Sequence, residues 1–193
     1  MRVITGKAKG HKLKAPSGNK TRPTTDKVKE SIFNIIGQID SNAYILDLFA
    51  GSGSMGIEFL SRGGKKCFFI DMDSNANRVI KQNLEKTKLK EQAEVYKTDV
   101  IKAIKKLGSR QLKFDFVFMD PPYGKLFVVS SLEQLIEDNI IKTGCIVIVE
   151  HSSDEKLPSS INKLHVLDCR KYGNTFVTFY EMKEENNDCS ISR

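Results

Sequence analysis

The chain has 193 residues, 39% hydrophobic and 28% charged, a size and balance suited to one α/β domain with a small appendage. No apolar run approaches the roughly 20 residues that cross a bilayer. The opening Met1-Arg2-Val3-Ile4-Thr5-Gly6-Lys7 has no signal-peptide core, so a membrane or secreted protein is not expected. The net charge of +7 sits wholly within residues 1–30, and the rest of the chain sums to zero. A basic start on a neutral body points to a phosphate-facing surface, although a lysine-rich arm serving only solubility would carry the same charge. The cysteines, Cys67, Cys145, Cys169 and Cys189, are scattered with no Cys-x-x-Cys pair, and so are the three histidines. This reads as reduced thiols in a cytoplasmic protein, with no metal site expected.

In chain order, residues 1–14 set Val3, Ile4, Gly6, Gly10 and Leu13 among lysines and read as a short two-stranded hairpin turning near Gly10. Pro16-Ser17-Gly18-Asn19 is loop. Thr24 or Thr25 can cap a helix with Val28, Ile32, Phe33, Ile35 and Ile36 on its apolar face, ending at Gly37. Strands are predicted over 43–49, 66–70, 94–96, 114–119 and 145–149, separated by helices near 57–60, 75–89, 100–107 and 126–139. Residues 164–169 and 175–182 flank Tyr172-Gly173-Asn174 as an antiparallel hairpin. The alternation predicts a Rossmann-like, mostly parallel, doubly wound sheet that binds ligands at the carboxyl ends of its strands. The expected division is a basic hairpin extension over 1–20, one domain over 21–182 and a polar, disordered tail over 183–193. Nothing in the sequence demands a dimer, so a monomer is expected.

Asp47-Leu48-Phe49-Ala50-Gly51-Ser52-Gly53-Ser54-Met55-Gly56 ends the first predicted strand and opens a helix. Gly51, Gly53 and Gly56 match the dinucleotide glycine pattern, where the backbone turns sharply and approaches a ligand. Asp71 follows the second strand, placed to accept both hydroxyls of a ribose, a contact common to NAD and S-adenosylmethionine. Two features favour S-adenosylmethionine. Asp47 would repel a pyrophosphate at the helix N-terminus but can pair with the ammonium of a methionine moiety. Asp99, with Val100, follows the third strand, where an adenine amine can be held. The candidate cofactor set is therefore Asp47, Phe49, Ala50, Gly51, Gly53, Gly56, Asp71, Asp99 and Val100. Asp71 and Asp99 each precede a helix, so capping is the alternative for either one alone.

Asp120-Pro121-Pro122-Tyr123 follows the fourth strand and is the most specific signal in the chain. The exocyclic amine of a base is a poor nucleophile because its lone pair is delocalised into the ring. Two acceptors around its hydrogens favour the tetrahedral nitrogen that attack on a methyl group requires. The Asp120 carboxylate and the Pro121 carbonyl can supply them, Pro122 having no N–H to consume that carbonyl. Tyr123 offers an aromatic face to an unstacked base. A diproline turn with Asp120 as a turn acceptor is the plainer alternative.

With these residues in view, the chain resembles the RsmD-type bacterial methyltransferases over roughly residues 1–182. The resemblance runs through Met1–Gly6, the block Arg22-Pro23-Thr24-Thr25-Asp26-Lys27-Val28-Lys29-Glu30-Ser31-Ile32-Phe33-Asn34, Asp47–Gly56, Asp120–Tyr123 and Lys171-Tyr172-Gly173-Asn174-Thr175. It implies a Rossmann-like fold, S-adenosyl-L-methionine as cofactor, and N2 of a guanine in 16S ribosomal RNA, on the small ribosomal subunit or its precursor, as target. It implies that the Arg22–Asn34 block flanks the active site, making Arg22 and Thr24 candidates for RNA contact beside Lys7, Lys9, Lys12 and Lys14. Asp71 stands where the family usually has glutamate, and Ser54-Met55 replaces a small residue and leucine. The rival readings are a DNA adenine-N6 or cytosine-N4 methyltransferase, an NAD-dependent oxidoreductase, and an RNA-binding module with a degenerate cofactor site.

Overall fold

The structure is a computed structural model that describes residues 1–16, 25–122 and 127–184. The expected polar tail therefore lies almost wholly outside the described residues. Helix α1 (Asp26–Ile36) precedes strand β1 (Tyr44–Leu48), and α2 (Ser54–Ser61) leads to β2 (Lys66–Asp71). Then come α3 (Ser74–Thr87), a 3-10 turn (Lys90–Gln92), β3 (Ala93–Lys97), α4 (Val100–Ser109), β4 (Phe114–Met119) and α5 (Phe127–Glu137). The chain closes with β5 (Ile141–Ser152), β6 (Ser160–Ile161), β7 (Leu164–Tyr172) and β8 (Thr175–Met182). They form one sheet in the order β3-β2-β1-β4-β5-β8-β7-β6, parallel from β3 to β5 and antiparallel beyond. The strand order reverses between β1 and β4, where such sheets open a crevice at the strands' carboxyl ends.

Successive strand residues face opposite ways, so the apolar runs fill two cores. Ile45, Cys67, Phe69, Phe118 and Ile148 pack with α1, α2, α3 and the N-terminal segment. Leu46, Phe68, Ile70, Val117, Met119 and Val147 pack with α4 and α5. The β5 strand is longer than its apolar run because its ends pair with neighbours on both sides, Ile141 with Phe114 and Ser152 with Thr175. The two-residue β6 and the 3-10 turn carry no period for the sequence to show.

The N-terminal segment closes as a short antiparallel hairpin: Arg2 bridges Lys12, Val3 N–H donates to the His11 carbonyl at 3.0 Å, Gly10 N–H to the Val3 carbonyl at 2.9 Å and Leu13 N–H to the Met1 carbonyl at 3.2 Å. The donors of its connecting loop go to α2: Ile4 and Thr5 N–H donate to the Glu58 carboxylate at 2.8 and 2.9 Å, and Lys7 N–H donates to the Ser61 carbonyl at 2.9 Å. Gly6, at φ +84°, makes this approach possible, since a Cβ there would lie 1.8 Å from the Ser61 oxygen. Val3, Ala8 and Leu13 join the core. Beneath them, Lys29 Nζ lies 3.1 Å from Glu58 and donates to the Arg2 carbonyl at 2.6 Å, with both charged side chains fully buried. Burial pulls the Lys29 ammonium below the usual lysine range, and the Glu58 charge opposes that pull.

Candidate active site

The crevice is built from the ends of four parallel strands. Past Leu48 the backbone enters the left-handed region at Phe49 (φ 57°), Gly51 (φ 55°) and Gly53 (φ 75°), which coils the chain tightly before α2. Two acids hold this coil. Asp71 Oδ2 accepts the Gly51 N–H at 2.8 Å, and its other oxygen accepts the Asp73 N–H at 2.8 Å. Each oxygen keeps a lone pair, so a ribose hydroxyl can still be accepted. Asp47 Oδ2 accepts the Gly56 N–H at 2.9 Å. Gly56 has a packing duty as well: a Cβ would lie 2.3 Å from the Phe69 ring and 2.6 Å from Cys67 Sγ, so α2 can sit on β2 only with glycine there.

Asp47 is 1% exposed. Burial pushes its carboxyl up to about 8; the Gly56 N–H opposes this and the Asp71 charge adds to it. A buried acid in that state favours a cationic partner, which suits the ammonium of a methionine moiety and not a pyrophosphate. The capping alternatives separate. Asp73, not Asp71, caps α3 by accepting from Asn75 N–H at 2.6 Å. Asp99 does cap α4, accepting from Lys102 N–H at 3.2 Å, with Val100 buried behind it. Ala50 N–H donates to the Ile70 carbonyl at 3.0 Å, which closes the coil against β2.

Asp120 and Pro121 leave the end of β4 one strand from Asp47. Pro121 is buried and Pro122 exposed, and Tyr123 lies outside the described residues, as do Arg22 and Thr24. Burial raises the Asp120 carboxyl well above the usual carboxylate range, with the charges of Glu150 and then Asp47 adding to it. Glu150, on β5 and 6% exposed, lies close enough for its charge to act on Asp120 and is not among the residues expected from the sequence. Its signal was available: like Asp47 and Asp71, it is an acid at the carboxyl end of an apolar strand run.

Two blocks of the resemblance meet at the rim. Ser31 of α1 and Tyr172 at the end of β7 share a hydrogen bond through their hydroxyls. The basic segment also reaches the cofactor-side loop. Asn83 of α3, fully buried, exchanges hydrogen bonds with the Lys14 backbone at 2.9 and 3.0 Å and donates to the Ser52 carbonyl at 2.9 Å. Lys7, Lys9, Lys12 and Lys14 are all exposed; Lys7 Nζ donates to Gln92 at 2.9 Å and Lys14 Nζ to Gln82 at 3.1 Å.

Known proteins are similar to this chain over most of its length. The Bacillus subtilis protein YlbH is 41% identical over 183 residues, spanning 95% of this chain and 100% of its own. Ribosomal RNA small subunit methyltransferase D of Haemophilus influenzae is 37% identical over 158 residues, 81% of each chain. The crystal structure of Haemophilus influenzae HI0767 superposes with a TM-score of 0.78 at 32% identity, covering 95% of this chain and 98% of that one. The family described as Conserved hypothetical protein 95 matches residues 1–181, and this chain belongs to it, the RsmD family that its motifs resemble.

Proposed function

We propose that this protein transfers a methyl group from S-adenosyl-L-methionine to the N2 amine of a guanine in 16S ribosomal RNA of the small subunit. The observation that carries the reading is the placement of Asp120-Pro121-Pro122 at the end of β4, across the reversal of strand order from the coiled loop held by Asp47 and Asp71. The cofactor supplies an electrophilic methyl on a sulfonium. Asp47 would meet its ammonium, Asp71 its ribose, and the Asp99–Val100 turn its adenine. The loop from Phe49 to Gly56 presents backbone to it.

Asp120 and the Pro121 carbonyl then accept the amine hydrogens and localise the nitrogen lone pair along the line of attack. The nitrogen would take the methyl in one displacement from the sulfonium, and the positive charge it gains would be relieved by loss of a proton to Asp120 or water. Positioning and electrostatics do the work, with no covalent enzyme intermediate. Tyr123 would stack the base, and Arg22, Thr24 and the lysines of residues 7–14 would hold RNA phosphates. The relatives named as rRNA methyltransferases support the substrate class.

The test is methyl transfer from radiolabelled cofactor to small subunits lacking the modification, with duplex DNA in parallel, followed by digestion to nucleosides. Label in N2-methylguanosine from 16S RNA is the expected result. Label in adenine or cytosine, of RNA or DNA, would overturn the target while leaving the acid-and-proline chemistry standing.

A further inference from the structure

Nothing in that mechanism uses Glu150. It closes the apolar run Ile146-Val147-Ile148-Val149 of β5. Strands β4 and β5 are parallel, with Phe118 beside Ile148 and Met119 beside Val149. One step further along the same register brings Asp120 beside Glu150. Strands in a sheet lie about 4.8 Å apart, and side chains alternate between its faces. Phe118 and Ile148 both belong to the core beneath α1, α2 and α3. Asp120 and Glu150, each two residues on, continue that face beyond the core into the crevice.

We propose that Glu150 chooses the base: its carboxylate accepts the N1–H of guanine while Asp120 accepts from the neighbouring N2 amine. The assignment rests on the methyl-transfer reading above and gives this chain's own reason for guanine. The Watson–Crick edge of guanine presents N1–H and the N2 hydrogens side by side, all donors. Adenine and cytosine present an amine beside a ring nitrogen that carries a lone pair. With both acids ionised, the state in which Asp120 can accept the amine hydrogens, two adjacent carboxylates match the first edge and repel the second. Rejection of an analogue that cannot make a hydrogen bond the site is built to accept is the strong form of specificity.

The same neighbour sets the acidity of Asp120. The charges acting on it are Glu150 from β5 and Asp47 from β1, and Asp71 from β2 acts in turn on Asp47. Glu150 is the larger of the two direct influences, and its negative charge favours the protonated form of Asp120.

The experiment compares wild type, Glu150→Gln and Glu150→Leu on small subunits carrying either guanine or 2-aminopurine at the target nucleotide. The analogue keeps the N2 amine and replaces N1–H with a lone pair. S-adenosylhomocysteine-induced stabilisation checks that each variant is folded, and the isosteric glutamine guards against a leucine variant that is not. The wild-type preference for guanine is expected to shrink about 10- to 100-fold in both variants, the size of one hydrogen bond to a charged group. The acid limb of kcat/KM is expected to move to lower pH in Glu150→Gln, since the neutral amide no longer raises Asp120. A purely structural role would slow both substrates equally. An unchanged preference factor, or an unmoved acid limb, overturns the assignment. If the wild type labels adenine or cytosine instead, the functional reading falls and this assignment with it, and that shows before any variant is compared.

Discussion

At the ends of β1 and β4, Asp47 and Asp120 carry charge that burial suppresses, with Glu150 buried beside them at the end of β5. Along residues 7–14, Lys7, Lys9, Lys12 and Lys14 carry charge that water supports. Asp47 and Glu150 are 1% and 6% exposed, and the carboxyls of Asp47 and Asp120 are pushed up. The four lysines are exposed, and the ammonium groups of Lys7 and Lys14 reach side-chain amides and not carboxylates. Desolvation makes each acid individually strong and dependent on its neighbours. Screening makes each lysine individually weak and nearly independent. Single substitutions should therefore be decisive in the first region and nearly silent in the second.

The largest effect belongs to Asp120. Replacing it with alanine should lower methyl transfer by on the order of a thousandfold, the scale of removing one preorganised group from a transition state. Binding of S-adenosylhomocysteine, followed by the shift in melting temperature, should be largely retained. Full turnover by this variant would mean that Asp120 is only a turn acceptor.

A third set of charges, the buried Lys29–Glu58 pair, joins α1 to α2 beneath the N-terminal segment. Lys29→Met alone would leave the buried Glu58 carboxylate with Arg62, at 2.9 Å, as its one cationic partner among the described residues. Loss of one partner of such a pair costs about 3–5 kcal/mol. Urea denaturation should show that loss, and the double variant Lys29→Met with Glu58→Leu should recover part of it. A double variant no better than the single one would shift the importance to the Ile4 and Thr5 backbone donors that Glu58 satisfies.

This pair also marks where sequence reading stopped. The parallel sheet was legible because its strands are continuous apolar runs of the right length, and the loop from Asp47 to Gly56 was legible because its demands are local: positive φ, close approach and a helix start. Lys29 and Glu58 were not. Lys29 sits three and four residues before Ile32 and Phe33, on the buried stripe of α1, yet a lysine there reads as solvent-facing. In α2 every residue is buried, because the N-terminal segment covers the side a surface helix would expose. Only contacts distant in sequence create that cover. The alternation in residues 1–14 did show their short hairpin, but not that the donors of its connecting loop are taken by α2. Glu150 was overlooked because it follows an apolar run with no glycine or proline to flag the strand's end.

A smaller effect concerns Asp47 and pH. Its carboxyl titrates near 8 in the free protein against about 4 when unfolded. A raised pKa means that the folded state holds the proton more tightly. Its contribution to stability is fully present below about pH 4 and lost as pH rises towards 8. A cationic ammonium beside Asp47 favours the ionised form, so cofactor binding must release the proton across that window. Affinity for S-adenosylhomocysteine should rise with pH, by at most about tenfold per unit. Calorimetry in buffers of different ionisation enthalpy would detect the released proton. No release, with tight binding, would place the ammonium elsewhere.

The smallest effects lie in the basic segment, and they test the comparison from its other side. Neutralising Lys7, Lys9, Lys12 or Lys14 singly should change RNA affinity only severalfold. Neutralising all four should lower the slope of log affinity against log salt by up to about 0.7–0.9 for each phosphate that is no longer neutralised. The weakening should be the same for cognate and non-cognate RNA, because phosphate contacts hold register and carry no base identity. Lys7 and Lys14 are already drawn towards Gln92 and Gln82, so the pair Lys9 and Lys12 should account for more of the slope. If one lysine alone removed most of the affinity, it would be working like the buried acids, as a desolvated contact. An unchanged slope in the fourfold variant would leave the net charge of +7 as a solubility feature, and would move the RNA contact to the rim where Ser31 meets Tyr172.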